Sequence, residues 1–269
     1  VTPQSSDQSF DDDLRLALRL ADAADAISRE RFGALDLVVD TKLDRTPVTD
    51  ADRAVEEAIR ALLAAERPDD AILGEEFGTS GEASRQWILD PIDGTAHFLR
   101  GVPIWATLIA LAVDGVPVVG VVSGPALGTR WWAAEGSGAW AVELEAGAEP
   151  RPLRVSGIDT LASATFSYNS IQQWEGAGRL PQLLELAGAV WRDRAYGDAW
   201  PYMLVAEGLL DGAGEFDVKP YDLAALVPIV QEAGGRFTSA DGEDGPWHGS
   251  AVATNGLLHD EVLAIVAPR

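Results

Sequence analysis

The chain of 269 residues contains no cysteine, so disulfides and thiolate metal sites are excluded. Its three histidines give no support to a multi-histidine zinc centre. No apolar run approaches the roughly 20 residues that span a membrane; the longest, Ala106 to Val113, has the length of a strand. Val1 to Asp13 is polar and acidic, without the basic and apolar regions of a signal peptide. A soluble, cytoplasmic protein with no membrane partner is the expectation.

Positive charge is also scarce. Twenty Lys and Arg against 43 Asp and Glu leave a formal charge of −23. That argues against a nucleic-acid partner held on a basic face. It equally disfavours capture of a phosphate by the protein's own field, so a phosphorylated substrate would need metal ions as intermediaries. A substrate with a cationic part would be tolerated. Solubility or adaptation to salt accounts for most of the excess. Otherwise the composition, 47% hydrophobic and 23% charged, is that of one large globular domain or two packed lobes.

The richest stretch is Trp87-Ile88-Leu89-Asp90-Pro91-Ile92-Asp93-Gly94-Thr95. Its apolar start reads as a buried strand closing at Asp90, which Pro91 stops because it cannot donate to a ladder. Asp90 and Asp93 then emerge from the strand's carboxyl end. Gly94-Thr95 would open a short helix with N–H groups aimed at whatever the carboxylates hold. Carboxylates and anion-binding amides do not attract the same partner, so a divalent cation between them and an oxyanion resolves the conflict. Hard oxygen ligands without Cys or His suit Mg²⁺ or Mn²⁺. A lone Asp-Pro-x-Asp would read better as a solvated turn; the distant acids below reverse that.

Along the chain, Asp11 to Arg31 carries apolar residues at helical spacing and ends at Gly33. Leu37 to Val39 reads as a short strand and Asp40 to Thr46 as a polar loop, a flap over a site or a plain hairpin. Thr49 caps a second helix, with Asp52 reaching back. Asp50 and Asp52 both favour that helix start. Ala71 to Leu73 is a strand followed at once by Gly74-Glu75-Glu76, a second acidic strand end. Ala106–Val113 and Val116–Val122 flank Asp114-Gly115, a strong hairpin signal. With Trp131–Ala134 and Ala139–Leu144 they make an antiparallel sheet of four or more strands. Glu143 to Pro152 reads as a linker, dividing a lobe at 1–145 from one at 153–269.

In the second lobe strands at Ala164–Ser167, Ala189–Trp191, Asp211–Phe216, Arg236–Thr238 and Ala251–Ala253 alternate with helices at Leu180–Leu186, Trp200–Glu207, Leu223–Ala233 and Leu258–Val266, an α/β pattern. Asp222 stands at a helix start, where capping is the simple explanation, but the same carboxylate could face a metal. Glu215 ends a strand, and Asp198 precedes a helix. His97 reads as a helix-surface residue, with a substrate contact or a place beside a metal as the other reading.

Gly74-Glu75-Glu76, Asp90-Pro91-Ile92-Asp93-Gly94-Thr95 and Tyr221-Asp222 with Glu232-Ala233-Gly234-Gly235 resemble, in order and spacing, the inositol monophosphatase-like Mg²⁺-dependent phosphatases. Arg31–Leu37, Thr46–Asp52, Gly101–Ala106, Arg194–Asp198 and Ser250–Gly256 look most like the actinobacterial histidinol-phosphate phosphatases of that family. The resemblance implies a five-layer αβαβα fold, a homodimer, and Mg²⁺ ligands at Glu75, Asp90, Asp93, Asp222 and the Ile92 carbonyl. It implies phosphate on the amides of Gly94 and Thr95, with a water oriented by Thr95, whose rotamer Asp50 would fix by accepting its hydrogen bond. Glu215, Asp198, Gly197 and Asp222 would face the rest of a phosphomonoester, and the ammonium and imidazole of histidinol phosphate would suit carboxylates there. Two departures stand out: Ala96-His97 where the family usually has Lys-Asn or a similar polar pair, and Tyr221 where it usually has Trp. Both bear on substrate choice, so an inositol or other polyol phosphate stays open, as does a metal- or phosphate-binding module without turnover.

Overall fold

The computed structural model describes residues 9–41 and 47–268. In chain order the first half contains α1 (Asp11–Arg31), β1 (Val39–Thr41), β2 (Pro47–Thr49), α2 (Asp50–Glu66), β3 (Ala71–Gly74), β4 (Gly78–Ser80), β5 (Arg85–Asp93), α3 (Thr95–Arg100), β6 (Ala106–Val113), β7 (Val116–Gly124), β8 (Thr129–Ala134), β9 (Ala139–Glu143) and β10 (Arg151–Pro152). The second half contains β11 (Thr165–Ser167), α4 (Ile171–Gly176), α5 (Leu180–Ala189), β12 (Arg192–Arg194), α6 (Trp200–Ala206), β13 (Gly212–Phe216), α7 (Pro220–Leu223), α8 (Leu226–Glu232), β14 (Arg236–Thr238), β15 (Ser250–Thr254) and α9 (His259–Val266).

Eight strands form the first sheet in the order β10-β9-β8-β7-β6-β5-β3-β4, and five form the second in the order β12-β11-β13-β15-β14. The first sheet has the four or more strands expected, but it is mixed and not wholly antiparallel: β3 runs parallel to β5. Helices α1 and α2 cover its outer face, α6 and α8 lie between the sheets, and α4, α5 and α9 cover the far face of the second. These are the five layers implied by the resemblance.

Strand periodicity explains the layering. On β5, Trp87 and Leu89 point into the core under α1 and α2, while Ile88 points into the core shared with α6 and α8. Ile109 and Leu111 on β6 repeat the first direction, and Leu108 and Ala110 the second. Such alternation, with both directions apolar, marks a strand buried on both faces.

Five expectations are corrected. Strand β5 does not stop at Asp90; it runs through Pro91 and pairs again with β6 at Asp93. The first short strand is β1, two residues beyond Leu37–Val39, paired with β2; of the loop expected at Asp40 to Thr46, residues 42–46 lie outside the described residues. Ala189–Trp191 is not a strand, because α5 runs on to Ala189 and β12 starts at Arg192. The single helix expected at Leu223–Ala233 is broken into α7 and α8. Pro228 lacks an N–H, and its ring would clash with the carbonyl four residues back, at Ala224, where the break falls. The proposed linker ends in the sheet: Arg151 and Pro152 pair with Ala141 and Trp140.

Helix α1 is tied to the sheet through a buried charge. Arg130 on β8 donates to Asp25 at 2.8 Å and to Asp22 at 2.7 Å, and Ser123 on β7 donates to Asp25 at 2.9 Å. Asp25 is buried, which raises its carboxyl above the usual range against the opposing pull of Arg130. Removing one partner of such a pair strands the other. Arg130→Met should cost about 3 kcal/mol in denaturant unfolding, and Asp25→Leu in the same chain should recover most of it. A single-variant loss below about 0.5 kcal/mol, the usual surface value, would show that the pair does not hold the helix.

Candidate active site

Parallel pairing sets the carboxyl ends of β3 and β5 side by side, with Gly74 opposite Leu89. Glu75 N donates to Leu89 O at 3.1 Å, so Glu75 leaves the sheet next to Asp90. Residues three apart on a regular strand face opposite ways, which would part Asp90 from Asp93. A bulge prevents this: Asp90 pairs with Leu108 and Asp93 with Ala106, so β5 takes three steps where β6 takes two. Thr107, fully buried, pins the bulge by donating to Pro91 O at 2.8 Å.

Asp222 reaches the same place from the first turn of α7, where the Lys219 N–H donates to one of its oxygens at 2.7 Å. Carboxylate oxygens of Asp90, Asp93 and Asp222 lie within 4.8 Å of one another. Burial raises all three carboxyls, Asp222 to about 7 and the other two well above the ordinary range. Repulsion adds to burial: Glu75, Asp93 and Asp222 act on Asp90, and Asp198 and Asp222 act on Asp93. Asp90 Oδ1 is buried with no hydrogen-bond partner. Hard oxygen donors crowded together, one of them orphaned, fit a divalent cation such as Mg²⁺ or Mn²⁺.

Beyond Asp93 the chain turns through Gly94 at φ 84°, a left-handed conformation suited to glycine. A Cβ there would also meet Ile104 O at 3.0 Å. Thr95 then opens α3, with its hydroxyl 3.2 Å from Asp52 Oδ1 and 3.0 Å from Ile92 O. The partner is thus Asp52, not Asp50. Asp50 faces away, its Oδ2 2.8 Å from Arg31 and its Oδ1 accepting from Val38 N. Two residues apart on a helix start, the two carboxylates point in different directions, and only Asp52 is turned inward by the capping box with Thr49. Burial raises the Asp52 carboxyl, and Glu75 raises it further.

The opposite wall belongs to the second sheet and its loops. Glu215 on β13 accepts from the Tyr202 hydroxyl at 2.7 Å and from Asn169 Nδ2 at 2.5 Å, and burial pushes its carboxyl to about 8. Asp198, at φ 59°, pairs with His97 Nδ1 at 2.7 Å, and that contact raises the imidazole above its usual pKa. His97 therefore bridges two walls and is no plain helix-surface residue. Ala199 N donates to Asp93 at 2.6 Å, a second bridge between the walls.

Glu75, Asp90, Asp93, Thr95, Asp198 and Glu215 line one cleft of about 490 Å³, together with Ile92, Gly94, Tyr221 and Asp222. Gly197 does not line it; a Cβ at Gly197 would stand 2.8 Å from Asn169 Oδ1, so its smallness serves loop packing. Sequence reasoning missed Asn169 and Tyr202, which carry no pattern of their own. Asp52 was visible only as a cap.

The inositol monophosphatase family matches residues 11–268. A histidinol-phosphatase of Mycobacterium tuberculosis is 60% identical over 94% of this chain and 96% of its own length. One of Streptomyces coelicolor is 54% identical over 96% of this chain and 98% of its own. An inositol monophosphatase from Zymomonas mobilis superposes with a TM-score of 0.84 at 34% identity, over 97% of this chain and all of that one. Taken with the cleft, these likenesses make the chain a member of the inositol monophosphatase family and a phosphoric monoester hydrolase.

Proposed function

We propose that the enzyme is a Mg²⁺-dependent phosphatase that hydrolyses L-histidinol phosphate to L-histidinol and phosphate, a step of histidine biosynthesis. One observation carries this reading: a cleft whose near wall crowds Asp90, Asp93 and Asp222 together, and whose far wall adds Glu215 and Asp198. The near wall suits a cation bridging to phosphate, and the far wall suits the ammonium and imidazole of the leaving group. The names of the two bacterial relatives support that substrate.

Glu75, Asp90, Asp93, Asp222 and the Ile92 carbonyl would hold Mg²⁺, with Mn²⁺ as a substitute. The ion would supply charge neutralisation at the phosphoryl oxygens and acidification of a nearby water. The chain's own groups do the rest. Gly94 and Thr95 amides would bind phosphate. The Thr95 hydroxyl, donating to Asp52 Oδ1, would turn its lone pairs to the attacking water and accept one of its protons in a hydrogen bond. Glu215 and Asp198 would orient the leaving group, which departs with the ester oxygen and takes up a proton released by the attacking water. Residues 1–145 and 153–269 would then form one catalytic unit, working as a cytoplasmic homodimer; a monomeric mass in solution would contradict the last point.

A panel of phosphomonoesters, assayed with Mg²⁺, tests the substrate. Histidinol phosphate should give the highest kcat/KM; a preference for inositol or sugar phosphates would overturn the substrate and keep the chemistry. Asp93→Asn should nearly abolish turnover in a folded protein. Asp52→Asn should lower kcat by about 10²-fold or more, the scale of a lost general-base partner, whereas Asp50→Asn should stay within a few-fold. The reverse order would return Asp50 to the role read from the sequence.

Acidity gives a further prediction. Asp222 and Glu215 have carboxyls raised in the fold, to about 7 and about 8. Groups raised in this way bind more protons folded than unfolded, so their stabilisation is complete below about pH 4 and disappears as pH climbs through those values. Metal-stripped protein should therefore lose Tm between about pH 5 and about pH 8, and Mg²⁺ should restore more Tm at the higher pH, where it replaces lost protons. Equal Mg²⁺ stabilisation at both pH values would contradict this.

A further inference from the structure

Glu56 lies one turn beyond Asp52 on α2 and is wholly buried. Its carboxylate does not reach the cleft. Instead it accepts from Glu76 N at 2.8 Å, from Phe77 N at 3.3 Å and from Arg60 Nε at 2.7 Å. Arg60 in turn donates to Gly78 O and to Ser80 Oγ. Gly74, the last residue of β3, leaves the space the carboxylate fills: a Cβ there would stand 1.9 Å from Glu56 Oε1.

These contacts surround Glu75. Its own N–H is held by Leu89 O, and the next two N–H groups are held by the two oxygens of Glu56. Three successive amides are thereby fixed, and the backbone that carries the Glu75 side chain has little freedom left. A carboxylate is suited to this because it offers acceptors on both oxygens and no donor. A glutamine of the same size has one acceptor oxygen and would turn an NH₂ group toward a backbone N–H.

We infer that Glu56 is a positioning residue for Glu75, holding the turn after β3 so that the Glu75 carboxylate joins Asp90 and Asp222, and that it thereby sets the cation affinity of the cluster. The inference rests on the divalent-cation reading above. The same helix carries Asp52, so α2 supports both the hydroxyl partner of Thr95 and the turn bearing a metal ligand. An alternative role for Glu56, as a charge partner of Arg60 that serves stability alone, makes a different prediction.

Mn²⁺ binding to metal-stripped full-length protein, followed by the electron paramagnetic resonance of free Mn²⁺, separates the two. Glu56→Gln should raise the Mn²⁺ Kd by about tenfold or more, as loss of a group supporting a ligand does. Gly74→Ala should do the same from the other side, by pushing the carboxylate off the turn; Gly74 is not among the positive-φ glycines, so alanine fits its backbone. If Glu56→Gln does not fold, Gly74→Ala carries the test. Arg130→Met, destabilised far from the cleft, should bind Mn²⁺ as the parent does. Kd values for both turn variants within about twofold of the parent would overturn the inference, and so would an equal loss in Arg130→Met, which would assign the effect to general destabilisation. A parent that binds no Mn²⁺ would remove the cation reading and this inference together.

Discussion

Mutual repulsion among buried carboxylates is the constraint on which the site depends. Asp90, Asp93 and Asp222 converge at the wall of the cleft, and Glu75, Asp198 and Glu215 press on them. Burial alone would drive such groups to hold protons. The fold concentrates that tension at the carboxyl ends of β3 and β5, where a doubly charged ion would relieve it. A bound cation of that kind would let a chain with a formal charge of −23 act on an anionic ester in a cleft where, among the described residues, Lys219 stands against six or more carboxylates.

Much of the architecture serves to keep those acids where they repel. The bulge between Asp90 and Asp93 puts two carboxylates on one side of a strand that would otherwise separate them. The Lys219 amide holds Asp222, and the Ala199 amide holds Asp93. Each is a backbone donor, which cannot swing away as a side chain can. The phenylalanine and tryptophan cluster of Phe32, Phe98 and Trp105, with ring centroids 4.9 to 5.4 Å apart, packs beneath α3 and the end of β5. Through Ile92 this apolar cluster backs the part of β5 that lines the cleft.

The sequence made the acid strand ends legible because each closes a short apolar stretch with glycine or proline beside it: Gly74 before Glu75, Pro91 after Asp90 and Gly94 after Asp93. Glu75, Asp90 and Asp93 stand out for that reason, and Asp222 stands out only beside them. The choice between Asp50 and Asp52 was not legible. Both suit a helix start, and their difference lies in tertiary partners, Arg31 for one and Thr95 for the other. His97 looked like a surface residue because its partner Asp198 is about a hundred positions away in the chain. The helix break before Leu226 was readable from Pro228 but was outweighed by the continuous apolar face. The edge strand β12, with its arginines, has no hydrophobic alternation to betray it.

The central claim is that these acids cage a divalent ion. Anomalous diffraction from crystals soaked in Mn²⁺ addresses it directly. The account predicts a strong anomalous peak between Glu75, Asp90, Asp93 and Asp222, about 2 Å from the Asp90 and Asp93 carboxylate oxygens, as hard-cation coordination requires. No peak there in crystals holding Mn²⁺ at another place would contradict it.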